Sequence, residues 1–366
     1  MTTRLSDIAH EAGVSVMTVS NVMNGKRARV SPATIERVLG IAARLGYVPN
    51  IPARSLAANS SHIVAALVPV GENNSLLVSP HTVAVVGGME THLRHRGYHV
   101  LLRGIEHEDQ VAQTVRGWSL DGVVLVEFTD EQIDRLRVDA VPVVAIDSYS
   151  ANPRTIGVRS DDHAGGRLAG ARLADAGHRH VLFAGPPYQG LGVVGQRWAG
   201  FREACLAAGL DPRAIEAEEV LTSFEDGRRL GLRLRRDHPD VTGVFATADH
   251  LAVGIMAGIV EAGGSVPGDV SVIGFDDLDF ARYTTPGLTT VAQDMAAKVA
   301  EASRIILEEI EPAEIEPAEI EPAEIESAEI DPAGAAPGSA QSKRPREPVS
   351  LDVHLVERGS VGPPRG

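Results

Sequence analysis

The sequence predicts a multidomain protein: a small all-α module at the amino terminus, then a larger α/β core of two lobes with parallel sheets. Three observations carry this. The first sixty residues show helix caps and apolar residues at helical spacing, with no strand-like run. From His62 to about Ile310, short apolar runs alternate with helical patterns, the order expected of parallel strands joined by crossover helices. The 366 residues exceed what one domain of roughly 100–200 residues needs.

Composition narrows the class. The longest apolar runs, such as Ile63 to Val70, fall far short of the ~20 residues that span a bilayer, and no apolar leader follows Met1. A cytoplasmic protein with no membrane partner is expected. A single cysteine, Cys205, excludes a disulfide framework and a multi-cysteine metal site. The net charge of −15 is unevenly placed. Met1 to Ser60 holds seven basic residues (Arg4, Lys26, Arg27, Arg29, Arg37, Arg44, Arg54) against Asp7, Glu11 and Glu36. Glu308 to Asp331 holds eleven acidic residues and no basic one. Screening beyond ~10 Å lets each region meet its partner separately, so the basic amino terminus points to a polyanion.

In the first module, Ser6 is read as the cap of a short helix over Asp7 to Glu11, ended by Gly13. Ser15 caps a second, carrying Val16, Val19, Val22 and Met23, and Asn24-Gly25 stops it. Ser31-Pro32 opens a third, with Ile35, Val38, Leu39, Ala42 and Leu45 at helical spacing and Gly46 at its end. Ala9, Gly13, Val14 and Val19 fit the helix-turn-helix pattern. A small helical bundle would use any one of these signals. Together with Lys26, Arg27 and Arg29 they favour DNA binding. The second helix then enters the major groove with Val16, Met17 and Asn21 towards base edges. Asn pairs bidentately with adenine, whereas Val and Met meet thymine methyls. Ser15, Thr18, Ser20 and Asn24 read as phosphate-positioning groups.

The string Leu5-Ser-Asp-Ile-Ala-His-Glu-Ala-Gly-Val-Ser-Val-Met-Thr-Val-Ser-Asn-Val-Met-Asn24, followed by Leu45-Gly-Tyr-Val-Pro-Asn50, closely resembles the LacI/GalR family of transcriptional regulators. The resemblance implies a hinge helix after Asn50 that forms on the operator, with Ala53 and Leu56 taking the minor-groove wedge positions. An isolated helix of that length is unstable in water, so its folding must be coupled to a dimer partner and bent DNA. One departure is Asn21, where the family usually has Arg, which puts the usual guanine preference there in question.

In the core, strands are read at Ile63 to Pro69, Gly122 to Val126, Val141 to Ile146, Val181 to Ala184, Val244 to Ala246 and Val270 to Phe275. Such lobes bind ligands where the carboxyl ends of their strands meet. The strings Gly97-Tyr98, Asp121-Gly122, Ile146-Asp147, Gly177-His178-Arg179, Arg197-Trp-Ala-Gly-Phe201, Gly274-Phe-Asp-Asp277, Pro286-Gly-Leu-Thr-Thr290 and Leu355-Val-Glu-Arg-Gly-Ser360 extend the resemblance. It implies a periplasmic-binding-protein-like fold whose cleft takes a small effector. By position, Arg197 and Asp276 grip effector hydroxyls, with Asp147, Asp249 and Gln293 as further candidates. His81 stands where the family often has an aromatic, Thr222 where it can carry a stacking Trp, and Ala248 where Asn is expected.

Three other features have plainer readings. Gly190-Leu-Gly-Val-Val-Gly195 matches a dinucleotide-binding string, but Pro186-Pro-Tyr-Gln189 separates it from the preceding strand, so it reads as a loop. Asp161-Asp162-His163 reads as surface loop because no histidine pair has metal-ligand spacing. Cys205, in line with Trp198, Phe201 and Ala208, reads as a buried thiol. The repeat Ile-Glu-Pro-Ala-Glu begins at Ile310 and recurs at Ile315, Ile320 and, with Ser327 for proline, at Ile325. Proline every fifth residue costs ~3 kcal/mol at each helix-interior position, so an extended, self-repelling linker is expected.

The expected organisation is a helix-turn-helix domain over 1–49, a hinge and linker over 50–61, an effector-binding and dimerisation core over 62–310, an acidic insertion over 311–348, and a final core strand and tail over 349–366. The expected function is a non-enzymatic, sequence-specific transcriptional regulator. It would be a homodimeric repressor of carbohydrate genes on a palindromic double-stranded operator, controlled by a carbohydrate-like effector, without metal or cofactor. The rivals are a transporter's solute-binding protein and an NAD-dependent enzyme.

Overall fold

The computed structural model describes residues 3–23, 25, 28–47, 60–70, 79–187, 190, 192–311 and 347–365. They divide into two compact units, Met1–Ser61 and His62–Gly366.

The first unit contains α1 (Leu5–Ala12), α2 (Val16–Met23) and α3 (Pro32–Arg44). The first helix begins earlier than Ser6 predicts. Arg4 is its cap, and its N–H donates to the Asp7 carboxylate at 2.8 Å. Serines cap the other two: the Thr18 N–H donates to Ser15 Oγ at 3.1 Å and the Thr34 N–H to Ser31 Oγ at 3.3 Å. Gly13, at φ 66°, supplies the left-handed residue that ends α1 and turns the chain into α2. Ile8, Ala9, Ala12, Val19, Val22, Val38 and Ala42 form the core of the unit.

The second unit has two six-stranded sheets. The first orders its strands β11-β5-β4-β3-β1-β2, from β1 (Ile63–Pro69), β2 (His99–Ile105), β3 (Gly122–Leu125), β4 (Val143–Ile146), β5 (Thr155–Ser160) and β11 (Val349–Leu351), and all its pairings are parallel. The second orders them β12-β10-β9-β8-β6-β7, from β6 (Val181–Gly185), β7 (Ile215–Glu219), β8 (Gly243–Ala246), β9 (Ser271–Asp276), β10 (Thr289–Gln293) and β12 (Val353–Val356). Only β12 runs antiparallel. Helices α4 (Pro80–Arg94), α5 (Asp109–Trp118) and α6 (Asp130–Arg135) belong to the first lobe. Helices α7 (Asp162–Asp175), α8 (Val193–Ala207), α9 (Phe224–Asp237) and α10 (Asp249–Glu261) belong to the second. After β10 the chain returns to the first lobe as α11 (Met295–Ile310), whose Val299, Ala302, Ile305 and Ile306 pack with Val85, Met89 and Leu93 of α4.

The chain therefore passes between lobes after β5, after β10 and again at Asp352. The tail read as a single strand is two, one edge strand for each sheet. Among the described residues no helix is long and apolar enough to cross a membrane.

Two helix pairs approach through glycine. A Cβ on Gly166 of α7 would lie 2.1 Å from the Arg197 carbonyl oxygen, and one on Gly200 of α8 would lie 2.0 Å from that of His163. In the second pair, a Cβ on Gly231 of α9 would lie 2.3 Å from the Ile255 carbonyl oxygen and one on Gly258 of α10 would lie 2.1 Å from that of Arg228. Backbone cannot yield as a side-chain tip can, so each added methyl must separate the helices. We expect Gly231→Val to lower unfolding stability by about 3 kcal/mol, at the upper end for overpacking. Urea titration checks this, and a loss below about 1 kcal/mol would show that the close approach is not needed.

Candidate functional site

Two surfaces concern function, one in each unit. In the first unit, α2 turns Val19 and Val22 into the core and leaves Val16 and Met17 outside, at 48% and 69% exposure. Both are large apolar residues on a helix that has polar alternatives, and such residues suit a partner surface with methyl groups. Ser15 is exposed, while Thr18, Ser20 and Asn21 are half-buried along the same helix. Ser15 Oγ lies 2.9 Å from Thr18 Oγ1, so these two hydroxyls hold one another as well as the cap. Asn24, Lys26, Arg27, Asn50, Ala53 and Leu56 lie outside the described residues, as does most of the expected hinge.

In the second unit, polar groups gather at the carboxyl ends of both sheets. The first lobe supplies Asp147 just after β4, Ser160 at the end of β5 and His81 in the first turn of α4. The second supplies Thr247 just after β8, Asp276 at the end of β9, Gln293 at the end of β10 and Arg197 on α8. Asp147 and Asp276 sit at φ 54° and 122°, backbone that non-glycine residues rarely adopt and that costs of order 1–3 kcal/mol each.

These groups bond across the lobes. Ser160 Oγ donates to Gln293 Oε1 at 2.9 Å, and Gln293 Nε2 donates to Asp276. The turn after Asp147 is held by Asp130, whose carboxylate accepts Ser148 Oγ at 2.7 Å and the Tyr149 N–H at 2.8 Å. Tyr149 then reaches the other lobe, its hydroxyl donating to Asp162 Oδ2 at 3.0 Å. Asp162 Oδ1 accepts Arg197 Nε at 2.8 Å, and the Arg197 guanidinium lies 3.5 Å above the Phe275 ring centroid while donating to the Thr247 carbonyl.

Five of the residues the sequence nominates are thus brought together: His81, Asp147, Arg197, Asp276 and Gln293. Asp249 stands just behind them. It is fully buried, accepting the Thr290 hydroxyl and the Leu278 N–H at 2.9 Å, and so anchors the loop that follows Asp276. Thr222 is exposed on the segment between β7 and α9 and bonds to none of this network among the described residues. Asp161-Asp162-His163 is not a surface loop. Asp161 caps α7 by accepting the Ala164 N–H at 2.9 Å, and Asp162 is completely buried. Asp161 and His163 are half-buried, and His163 lies 3.1 Å from Glu203. The glycine string leads into α8 with Gly192 as its cap and does not follow β6 directly, so the dinucleotide reading loses its structural context.

Sequence reasoning missed Lys298, Asp162, Tyr149, Ser160 and Thr247. Lys298, on α11, is fully buried and its Nζ donates to both Asp147 and Gln293. Its signal was available: a lone cation on an otherwise apolar helix face is a residue that is almost never fully buried unless paired.

Burial by itself lowers the His81 pKa, but Asp147, 3.0 Å away, and then Asp276 outweigh it, and the net shift is upward. Burial also opposes charge on Asp147, yet Lys298 and His81 prevail and hold it well below the usual carboxylate range. Burial pushes Asp162, Asp249 and Asp276 up despite their partners. The Cys205 thiol, also buried, is pushed up to about 12 and is unreactive.

Residues 4–50 match the family described as bacterial regulatory proteins, lacI family, and residues 171–326 match a periplasmic binding protein-like domain. The transcriptional regulator CelR of Thermobifida fusca is 35% identical over 325 residues, covering 84% of this chain and 91% of the relative. The chain belongs to the lacI family. It is a DNA-binding transcriptional regulator, and the family resemblance of the sequence is a membership. MalR of Streptomyces coelicolor, 32% identical over 324 residues, covers 85% and 91%. A solved CelR–cellobiose complex is 27% identical with a TM-score of 0.64, covering 98% of this chain and 99% of that one. The lac repressor dimer bound to operator and the anti-inducer ONPF, at 23% identity and a TM-score of 0.78 over 99% and 100% of the two chains, shares the fold. The relatives are regulators, which removes the enzyme and transporter rivals.

Two outcomes follow from this lacI-family cleft. Arg197→Met leaves Asp162 buried without its cation and costs about 3–5 kcal/mol in urea unfolding. A loss under 1 kcal/mol would mean that Tyr149 alone satisfies Asp162. A raised His81 pKa makes its contribution complete below about pH 6.5 and lost as pH rises through the higher folded value. His81→Gln should flatten the fall in urea midpoint between pH 6 and pH 9, and parallel curves would refute the assignment.

Proposed function

We propose that the protein is a homodimeric, cytoplasmic repressor that binds a palindromic operator and is controlled by a small polyhydroxylated effector between its lobes. The observation that supports this best is the joining of both lobes through polar groups at the strand ends. A ligand with several hydroxyls finds Asp147, Arg197, Asp276 and Gln293 converging from the two sides, and charge-assisted bonds are strongest in such a dry site. A carbohydrate is the effector class, in keeping with the cellobiose named for the similar CelR complex. The same reading assigns Ser15, Thr18, Ser20 and Asn24 to phosphates, Val16, Met17 and Asn21 to bases, and Asn50, Ala53 and Leu56 to the hinge.

A dimer is required because one reading helix covers only a half-site, and two-fold symmetry in the protein demands it in the DNA. The acidic repeat falls between α11 and β11, both in the first lobe, and residues 312–346 lie outside the described residues. The test is selection of bound sequences from random DNA, repeated with a carbohydrate panel. Enrichment of a palindrome whose affinity changes with a sugar is expected, and no palindrome would end the reading. Asn21→Ala should weaken the selected operator by about 1–3 kcal/mol in fluorescence anisotropy and relax preference at one position of each half-site. Uniform weakening across all sequences would instead place Asn21 on the backbone.

A further inference from the structure

The Lys298 ammonium is a cation of the cleft bonded to both lobes, and its surroundings constrain what can bind. It is completely buried, and it donates to Asp147 of the first lobe and to Gln293 of the second. The other Asp147 oxygen lies 3.0 Å from His81 Nε2, an ion-pair contact in which that nitrogen lacks hydrogen-bond geometry, so both oxygens of that carboxylate have a basic group beside them. Gln293 Oε1 is shared between Lys298 and Ser160. Two of the acceptors a sugar would use, Asp147 and Gln293, are therefore already held by an internal cation.

A neutral sugar can engage Asp147 only by separating it from Lys298. That exchanges an ion pair for bonds to a dipole, in a place where an unpaired charge is strongly destabilising. A ligand carrying a carboxylate reduces the difficulty, because its own charge pairs with the ammonium while His81 stays beside Asp147. The neighbouring wall agrees. Arg197 uses Nε and one terminal nitrogen on Asp162 and Thr247, leaving its other terminal nitrogen uncommitted among the described residues. Thr247 Oγ1 is buried with no hydrogen-bond partner among the described residues. Both uncommitted donors belong to the second lobe.

We infer that Lys298 is a specificity-determining residue that selects an anionic sugar, a uronate or aldonate, over its neutral parent. This rests on the proposed cleft and sharpens its ligand class. The test is calorimetric titration of full-length protein with matched pairs: glucose against gluconate and glucuronate, and cellobiose against cellobionate. For the wild type, at least one acid should bind tenfold or more tightly than its parent. Lys298→Met should remove that preference through a loss of tenfold or more for the acid, and Lys298→Arg, which keeps the charge, should retain it. Should Lys298→Met fail to fold, the wild-type preference and its retention by Lys298→Arg still decide. A neutral parent that binds the wild type as well as its acids do, or a panel in which no acid binds, overturns the inference. Operator anisotropy with the bound acid is a separate reading: an acid that binds without altering operator affinity counts against the proposed regulation and leaves the selectivity of Lys298 intact.

Discussion

Buried charge at the ends of strands must find its partner, and in this core part of that pairing comes from the opposite lobe. Asp147 is held by His81 and Lys298, and Asp162 by Arg197 and Tyr149. Each of these is expensive to leave alone in a low-dielectric interior. Two bonds that cross between lobes, Tyr149 to Asp162 and Ser160 to Gln293, therefore do more than close a gap. They make the relative placement of the lobes depend on hydrogen-bonded carboxyl and amide groups that a polar ligand can also use. A cleft lined by apolar side chains could close, but it would not set such a chemical condition on opening.

Glycine contact supports that arrangement from behind. Arg197 reaches Asp162 because α7 and α8 lie at backbone contact through Gly166 and Gly200, and the guanidinium rests on Phe275. A Cβ on Gly165 would strike the same ring at 2.5 Å. The short stretch Ala164-Gly-Gly thus fixes a helix crossing, a ring position and, through them, the direction of Arg197. Packing density and site geometry are here the same constraint.

Much of the fold was legible because its signals are local. Fully buried strands such as Val181–Gly185 and Ser271–Asp276 read as apolar runs, and Ser31-Pro32 and Gly13 mark helix ends by side-chain and backbone chemistry alone. The strands that escaped notice lack an uninterrupted run. The edge strand His99–Ile105 carries Arg103, and Ile215–Glu219 is an edge strand with three glutamates, the means by which exposed edges resist unwanted pairing. The tail was read as one strand because nothing in its sequence tells that Asp352 separates two sheets. For the cleft, Arg197 and Asp276 were found through strings shared with a family, not through their own chemistry. Asp162 and Lys298 are missed because the oppositely charged partner of each, Arg197 and Asp147, lies 35 and 151 residues away. Their meaning comes from the tertiary pairing, and a local reading sees only a helix start and a helix cation.

Control of DNA binding by a ligand requires two states that the ligand distinguishes, and a group that interacts equally with both shifts nothing. Lys298 meets that requirement in a way Asp249 does not. Asp249 bonds only within its own lobe, so a change in lobe angle leaves its partners in place. Lys298 is carried by α11, which packs on the first lobe, while one of its two partners belongs to β10 of the second. Rotating one lobe against the other must lengthen its bond to Gln293 or to Asp147. The ammonium then needs another acceptor, and a ligand that supplies one lowers the free energy of the rotated state more than that of the closed state. By linkage, whatever form of the protein the operator prefers must bind that ligand with a correspondingly different affinity. Selectivity for the ligand and leverage over the lobes are in this way two consequences of placing one charge on the helix that passes between them.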